Sequence, residues 1–188
     1  MNETASKSKT NVREMALIAV MAAVTCVLGP LSIPIGLVPI SLTNLAVYFA
    51  IYILGTKRGT LSYLVYLLIG LVGLPVFSSF TGGAGKLLGP TGGYLIGFLF
   101  MALICGVFID RSHHHFVLSM LGMILGTAVC YAFGTIWLSY EAGMGMGAAL
   151  AAGVIPFLPG DFAKMLAAAI VAPQIRRRLA KANICPEA

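Results

Sequence analysis

Two residues near the C-terminal end of the chain, Asp161 and Lys164, have types and a spacing that suit the binding of a polar ligand. They stand three residues apart in PGDFAKMLAAAIVAP, so a helix would place both side chains on one face. A carboxylate accepts hydrogen bonds and an ammonium group donates them, so the pair matches a small ligand with N–H groups and a carbonyl or carboxylate. Two simpler interpretations stay open: an aspartate after Pro159 and Gly160 can cap a helix, and a lysine can extend to a membrane interface.

A glycine-rich stretch, GGAGKLLGPTGGY at residues 82–94, could bring backbone amides close to such a ligand. It is not a phosphate-binding P-loop, because the positions that need glycine and serine or threonine hold Phe80 and Leu87. An ordinary turn is the alternative, and the tyrosine at its end offers a ring and a hydroxyl. The candidate ligand-binding residues of this region are Thr81, Gly82, Gly83, Gly85, Lys86 and Tyr94.

Two further polar residues, Thr43 and Asn44, lie inside an apolar run and are predicted to reach a central cavity. The chain has no HExxH, no Ser–His–Asp arrangement and no motif for nucleotide hydrolysis. The three histidines at residues 113–115 could bind a metal, but a solvated turn is the preferred interpretation. The sequence therefore predicts a protein that is not an enzyme and that has neither a metal site nor a cofactor.

The composition indicates a membrane protein. Of 188 residues, 59% are hydrophobic and 10% are charged, against about 25% charged residues in soluble domains. The mean hydropathy of +0.96 agrees. The net charge of +6 comes from basic residues at the ends of apolar runs, which favours a role in membrane orientation over nucleic-acid binding.

Apolar runs predict an all-α protein with six membrane-spanning helices in one domain, residues 13–180, between tails at 1–12 and 181–188. The segment 142–158 is predicted to be an interfacial or re-entrant helix packed through Gly143, Gly145 and Gly147. Six spans place ten of the twelve basic residues on one side, which predicts that both termini are cytoplasmic. The predicted spans are residues 14–29, 40–55, 60–74, 92–109, 116–138 and 161–175.

Three stretches resemble the BioY family, the biotin-specific S-components of energy-coupling factor (ECF) transporters. They are GPTGGYLIGF at residues 89–98, FLPGDFAK at 157–164 and PIGLVPISLTNLAVYFAIYILG at 34–55. The resemblance covers nearly the whole chain. It implies a fold of six membrane helices in the bacterial cell membrane, with biotin enclosed near the outer face and taken up in an ATP-driven process.

The resemblance also implies roles for the candidate residues. Asp161 would accept from the ureido N–H groups of biotin, Lys164 would donate to the ureido carbonyl or the carboxylate, and Tyr94 would pack on the rings. The glycines would bring backbone amides near the ligand. Leu95 departs from some relatives, which have arginine after the tyrosine, so Lys86 is proposed as the partner of the carboxylate. The loop after the first helix would form an apolar lid of Ile33, Pro34, Ile35, Gly36, Leu37 and Val38.

The small residues Ala19 and Ala23 allow close helix packing on the first span. The resemblance implies that this face contacts the transmembrane coupling subunit, which with two cytoplasmic ATPase subunits would complete the transporter in the lipid bilayer. Two alternatives stay open: an S-component for another small vitamin, and a small integral membrane enzyme. Aromatic vitamins would favour more tryptophan than Trp137 alone, and the missing catalytic set disfavours the enzyme.

Overall fold

The computed structural model describes residues 3–112 and 115–182, and for residues 3–11 it describes the backbone alone. His113 and His114, for which a solvated turn was preferred over a metal site, lie outside the described residues. Residues 183–188, most of the predicted C-terminal tail, also lie outside them.

The chain begins with helix α1, Glu3–Leu28, which starts well before the predicted first span. The prolines of PLSIPIGLVP then prevent a helix, because proline lacks the backbone N–H that a helix interior needs. The segment forms a short antiparallel hairpin instead. Its strands are β1, Ser32–Ile33, and β2, Ile40–Ser41. We call residues 30–42 the hairpin segment.

The next element, α2, covers Thr43–Leu71 and is interrupted at Gly55, where φ is 79° and ψ is 175°. A Cβ atom on Gly59 would lie 3.0 Å from the carbonyl oxygen of Ala50. Nine residues of a straight helix span about 13.5 Å, so the chain reverses direction at Gly55. Element α2 is therefore two antiparallel helices, in agreement with the predicted boundary between the second and third spans.

Five more helices complete the described part of the chain. Helix α3 is a single short turn, α4 and α5 pack along each other, and α6 is short. Helix α7 follows α6 after a 3₁₀ turn at Ile155–Phe157. The bounds are Ala84–Leu88 for α3, Gly92–Arg111 for α4, Phe116–Glu141 for α5, Met146–Gly153 for α6 and Leu158–Lys181 for α7.

The segment before α7 was predicted to pack through three glycines, and that prediction is wrong. A Cβ atom on Gly143, Gly145 or Gly147 would meet no atom within 4 Å. The packed glycine is Gly153, whose Cβ would lie 2.0 Å from the Tyr94 hydroxyl. With 8 residues α6 is about 12 Å long, too short to cross a bilayer.

Three helical stretches are long and apolar enough to cross a membrane: α4, α5 and the run Met146–Lys181, which contains α6 and α7. With α1 and the two halves of α2, the described residues hold six long helical segments. The predicted all-α membrane fold is confirmed. The side of the membrane on which the termini lie stays a prediction.

Helices α4 and α5 approach closely because small residues line their contact. A Cβ on Gly122 would lie 2.4 Å from the Phe108 side chain, and one on Gly126 would lie 2.6 Å from Cys105 Sγ. Close backbone approach of this kind is how helices gain van der Waals contact in a membrane. This pair of helices forms one wall of the site described below.

Long-range contacts gather several helix ends at one end of the bundle. Arg58 forms an ion pair with Glu14 of α1. Arg176, near the end of α7, donates to the carbonyl oxygen of Tyr52 at 3.0 Å. We call this end, marked by Arg58 and Arg176, the basic end.

Candidate functional site

A cavity lies toward the opposite end of the bundle, where the first half of α2 and helix α7 begin. We call it the central cavity. About 620 Å³ of space lies among its lining atoms, part of it open to solvent. The lining residues are Val38, Pro39, Ser41, Thr43, Asn44, Ser78, Thr91, Tyr94, Leu95, Phe98, Thr127, Cys130, Tyr131, Gly153, Phe157, Asp161 and Lys164.

Asp161 presents a buried carboxylate to this cavity, with its side chain 8% exposed. Its Oδ2 accepts a hydrogen bond of 2.6 Å from the Tyr131 hydroxyl, and its Oδ1 accepts one of 3.0 Å from Lys164 Nζ. Helix α7 begins at Leu158 and has no capping hydrogen bond from a side chain. The interpretation of Asp161 as an N-cap is therefore wrong. Its carboxylate does not cap the helix and instead faces the groups that line the cavity.

Lys164 lies at the centre of a polar network. Its Nζ donates to Asp161 Oδ1, to Asn44 Oδ1 at 3.1 Å and to the carbonyl oxygen of Ser41 at 2.7 Å. An ammonium group has three protons, so these bonds use its full donor capacity. The side chain is 12% exposed, so Lys164 does not extend to a membrane interface. Together with Asp161 it forms a buried pair without net charge.

Asn44 is held so that its amide nitrogen remains available. Its Oδ1 accepts from Lys164 Nζ and from the backbone N–H of Leu45 at 3.0 Å. Within the described residues Nδ2 donates to no protein atom, although Asn44 is buried. Next to it, the Ser41 hydroxyl donates to Thr43 Oγ1 at 3.1 Å. The amide of Asn44 can therefore donate to an acceptor inside the cavity.

Tyr94 forms part of an apolar wall. It is buried, and its hydroxyl donates to the carbonyl oxygen of Gly153 at 3.0 Å. That bond ties the start of α4 to the end of α6. Phe98 and Phe157 line the cavity beside it. A flat, apolar part of a ligand would fit against these aromatic side chains.

Sequence reasoning missed Tyr131 and Ser41. Tyr131 places a hydroxyl within an apolar span, and the criterion that selected Thr43 and Asn44 would have selected it too. Ser41 contacts Lys164 through its backbone carbonyl. Any residue type could supply that carbonyl, so the sequence does not indicate the contact.

Most of the glycine-rich stretch, residues 82–90, does not line the central cavity, whereas Thr91 and Tyr94 at its end do. The backbone N–H of Gly83 donates to the carbonyl oxygen of Gly70 at 2.7 Å, which anchors the loop to the end of α2. Lys86 is half-buried, and burial lowers the pKa of its ammonium group. Contact of these residues with a ligand stays a prediction. The predicted residues that do not line the cavity are Thr81, Gly82, Gly83, Gly85 and Lys86.

Of the predicted lid, the hairpin segment brings Val38 to the cavity, where it is buried. The other lid residues, Ile33, Pro34, Ile35, Gly36 and Leu37, are exposed and do not line it. The lid role therefore stays a prediction, with the buried end of the segment nearest to the site.

Ala19 and Ala23 are both exposed on α1, one turn apart. Exposed apolar neighbours on the same helix, Val20 and Val27, extend this surface. The face is free to pack against another protein, and its use as a partner interface stays a prediction.

Comparisons with known proteins agree with one another. The BioY family matches residues 1–181. A Thermotoga maritima protein named biotin transporter BioY is 34% identical over 165 residues, which are 88% of this chain and 96% of that protein. A Pyrococcus horikoshii protein named probable biotin transporter BioY is 37% identical over 164 residues, with 87% and 96% covered. A crystal structure of the S-component for biotin from an ECF-type ABC transporter matches with a TM-score of 0.83 and 32% identity, covering 90% of this chain and 93% of that one.

Proposed function

The chain belongs to the BioY family, and we propose that it binds biotin in its central cavity and delivers it to an ECF transporter. Its relatives are named as transporters, which agrees with the predicted absence of an enzyme activity. Biotin has a ureido ring with two N–H donors and one carbonyl acceptor, an apolar thioether ring and a valerate carboxylate. Each part requires protein groups of complementary chemistry in the binding site.

Asp161 is the proposed acceptor for the ureido N–H groups. Its two carboxylate oxygens already accept from Tyr131 and Lys164, and each retains a further lone pair. Hydrogen bonds to a charged acceptor are stronger than those between neutral groups. Because the Asp161–Lys164 pair has no net charge, it suits a neutral ring.

Asn44 is the proposed donor to the ureido carbonyl, through Nδ2. Lys164 holds Asn44 Oδ1 and Asp161 Oδ1 at the same time, so it fixes an acceptor and a donor next to each other. Direct donation from Lys164 to the ligand would require the release of one of its three bonds. The bond to Ser41 can be released by a movement of the hairpin segment, which would couple ligand binding to lid position.

The apolar rings of biotin are proposed to lie against Tyr94, Phe98 and Phe157. The hairpin segment is proposed to close over them, with Val38 in contact with the ligand and the remaining lid residues facing outward. Thr43, which is buried and lines the same cavity, is proposed to support the segment through Ser41.

The valerate carboxylate needs a cation or amide donors, because the charges of the Asp161–Lys164 pair cancel each other. Leu95, which lines the cavity, cannot supply one. We keep Lys86 as the proposed partner, supported by its half-buried position at the start of the segment leading into α4. The amides of Gly82, Gly83 and Gly85, with Thr81, are proposed to assist it.

The proposed assembly places the Ala19–Ala23 face against the transmembrane coupling subunit, with two ATPase subunits on the cytoplasmic side of a bacterial cell membrane. Both tails of the chain would lie on that side, next to the basic end. The charge distribution supports this orientation.

The observation that carries the proposal is the buried Asp161–Lys164 pair inside a cavity with one available amide donor. Calorimetric titration of biotin into the purified protein and into Asp161→Asn tests it. We expect binding by the wild type and at least roughly 100-fold weaker binding by the variant, because a charged acceptor is lost. Glu141→Gln, an exposed carboxylate outside the cavity, is the matched control. No measurable binding of biotin to the wild type would refute the proposal.

A further inference from the structure

A second open groove lies at the basic end, far from the central cavity and sharing no lining residue with it. It lies between the reversal at Gly55 and the end of α4, and encloses about 860 Å³, including solvent at its mouth. We call it the end groove. Its lining residues are Leu54, Gly55, Thr56, Lys57, Arg58, Val107, Asp110 and Arg111.

Both carboxylates near this groove are already engaged. Asp110 Oδ2 accepts from the backbone N–H of Thr56 at 2.9 Å and from its hydroxyl at 2.6 Å, so Asp110 caps the second half of α2. Glu14 pairs with Arg58. Among the described residues, neither carboxylate forms an ion pair with the remaining basic side chains of the groove.

Lys57 and Arg111 are those remaining side chains. Both are exposed, and neither pairs with a carboxylate among the residues that the structure describes. The groove lining has three positive charges, on Lys57, Arg58 and Arg111, and one negative charge on Asp110. Glu14, outside the lining, neutralises Arg58, which leaves one net positive charge. A phosphodiester carries one negative charge at neutral pH and would balance it.

Apolar surface leads away from these cations on both sides of α4. On one side the end groove is lined by Leu54 and Val107. On the other side a smaller groove is lined by Val107, Phe108 and Leu118, and Arg111 borders both grooves. A soluble anion makes no contact with this apolar surface at the end of a membrane-spanning helix, whereas the acyl chains of a phospholipid pack against it.

We propose that the end groove binds the phosphodiester headgroup of an anionic phospholipid through Lys57 and Arg111, with its acyl chains along Val107 and Leu118. Gly55 allows the sharp backbone reversal that forms one side of the groove. Its φ of 79° disfavours any side chain there, and a Cβ atom would lie 3.4 Å from Asp110 Oδ1. The bound lipid would contact both the turn at Gly55 and the end of α4, and would thereby stabilise their packing.

The test measures thermal unfolding of the detergent-purified protein with added phosphatidylglycerol, phosphatidylcholine or inorganic phosphate. We expect phosphatidylglycerol alone to raise the unfolding temperature, because a ligand that binds only the folded state stabilises it. In Lys57→Gln/Arg111→Gln, at least roughly tenfold more phosphatidylglycerol is expected to be needed for the same rise. The matched control is Arg177→Gln/Arg178→Gln, which removes the same charge next to Arg176 from exposed residues outside the groove.

Three results would overturn the proposal. An equal rise with phosphatidylcholine would remove the need for an anionic headgroup. An equal rise with inorganic phosphate would indicate a site for a soluble anion. An equal loss in the control would mean that surface charge acts without a defined groove. If the double variant does not fold, Lys57→Gln alone is used, because this side chain is exposed and has no ion pair within the described residues. Biotin titration on the same samples keeps this test separate from that of the central cavity.

Discussion

Lys164 Nζ lies 2.7 Å from the carbonyl oxygen of Ser41, so the ionisable pair of α7 is bonded directly to strand β2. The two residues are 123 positions apart in sequence. The hairpin segment is thus bonded to the same ammonium group that orients Asp161 and Asn44. A movement of Lys164 at the ligand site would therefore change the position of the hairpin segment directly.

Removal of that ammonium group should loosen the hairpin segment as well as the ligand site. Lys164→Ala leaves the buried charge of Asp161 without its ion pair, which costs about 3–5 kcal/mol in comparable buried pairs. We expect lost biotin binding and faster amide hydrogen exchange at Val38 and at residues 40–42. Lys86→Ala, which makes no contact with Ser41, should leave that exchange unchanged; unchanged exchange in Lys164→Ala would disprove the link.

The hydroxyl of Tyr131 should matter for affinity through Asp161. Tyr131→Phe removes a 2.6 Å hydrogen bond to the carboxylate and keeps the ring. Hydrogen bonds to charged groups contribute about 1.5–3 kcal/mol, so we expect biotin binding to weaken at least roughly tenfold by calorimetry. Tyr140→Phe, at a tyrosine that is 85% exposed, is the control and should bind like the wild type. Equal affinities of all three proteins would show that Asp161 does not depend on Tyr131.

Gly153 should tolerate no side chain, because a Cβ atom would lie 2.0 Å from the Tyr94 hydroxyl. We expect Gly153→Ala to lower stability by about 1–3 kcal/mol, the usual cost of overpacking, and to weaken biotin binding by shifting Tyr94. Gly147→Ala changes another glycine of α6 with no atom within 4 Å, and should be neutral or slightly stabilising. Thermal unfolding measures the stability of both variants, and calorimetric titration measures their affinity for biotin. A Gly153→Ala protein as stable as Gly147→Ala would argue against tight packing there.

Lys86 should contribute to biotin but not to biotinamide, which has no carboxylate. Lys86→Ala is expected to weaken biotin binding roughly fivefold, as for a partly exposed ion pair, and to leave biotinamide binding unchanged. The contribution requires the charged form, so it should fade as pH rises. Burial lowers the pKa of Lys86, so the loss should begin at a lower pH than for an ordinary lysine. Equal loss for both ligands would assign Lys86 another role.

The alanine face of α1 should serve assembly and not ligand binding. Ala19→Trp/Ala23→Trp is expected to reduce co-purification with the coupling subunit while biotin affinity stays unchanged. Ala128 and Ala132 on α5 are also exposed and have the same spacing, so the corresponding tryptophan pair is the control. If both pairs reduced assembly equally, bulk on any lipid-facing surface would be the cause.

Local features of the chain were sufficient for several predictions. Asp161 and Lys164 share a face because helix geometry brings residues three apart together, and this needs no knowledge of other helices. The boundary at Gly55 follows from a short polar turn between apolar runs. The family resemblance, drawn from three local motifs, is confirmed across residues 1–181.

The glycine-rich loop shows where local reasoning ends. Its composition indicates flexible backbone but does not say where that backbone packs. The N–H of Gly83 is bonded to Gly70 at the end of α2, and of the whole stretch Thr91 and Tyr94 line the central cavity. Likewise, three glycines before α7 were expected to pack, whereas the packed residue is Gly153. Which glycine meets a neighbour depends on the approach of another helix.

The sequence by itself determined the membrane class, the helices, the family and the residues that can carry charge into the cavity, because hydropathy, helix periodicity and motifs are local properties of the chain. Only the tertiary structure decided which partners those charges have. Tyr131, Asn44 and Ser41 come from α5, α2 and β2, and they meet Asp161 and Lys164 because the bundle packs these elements around one space. A buried charge must find its partners wherever the fold supplies them, and sequence spacing does not encode contacts over 30 to 123 residues.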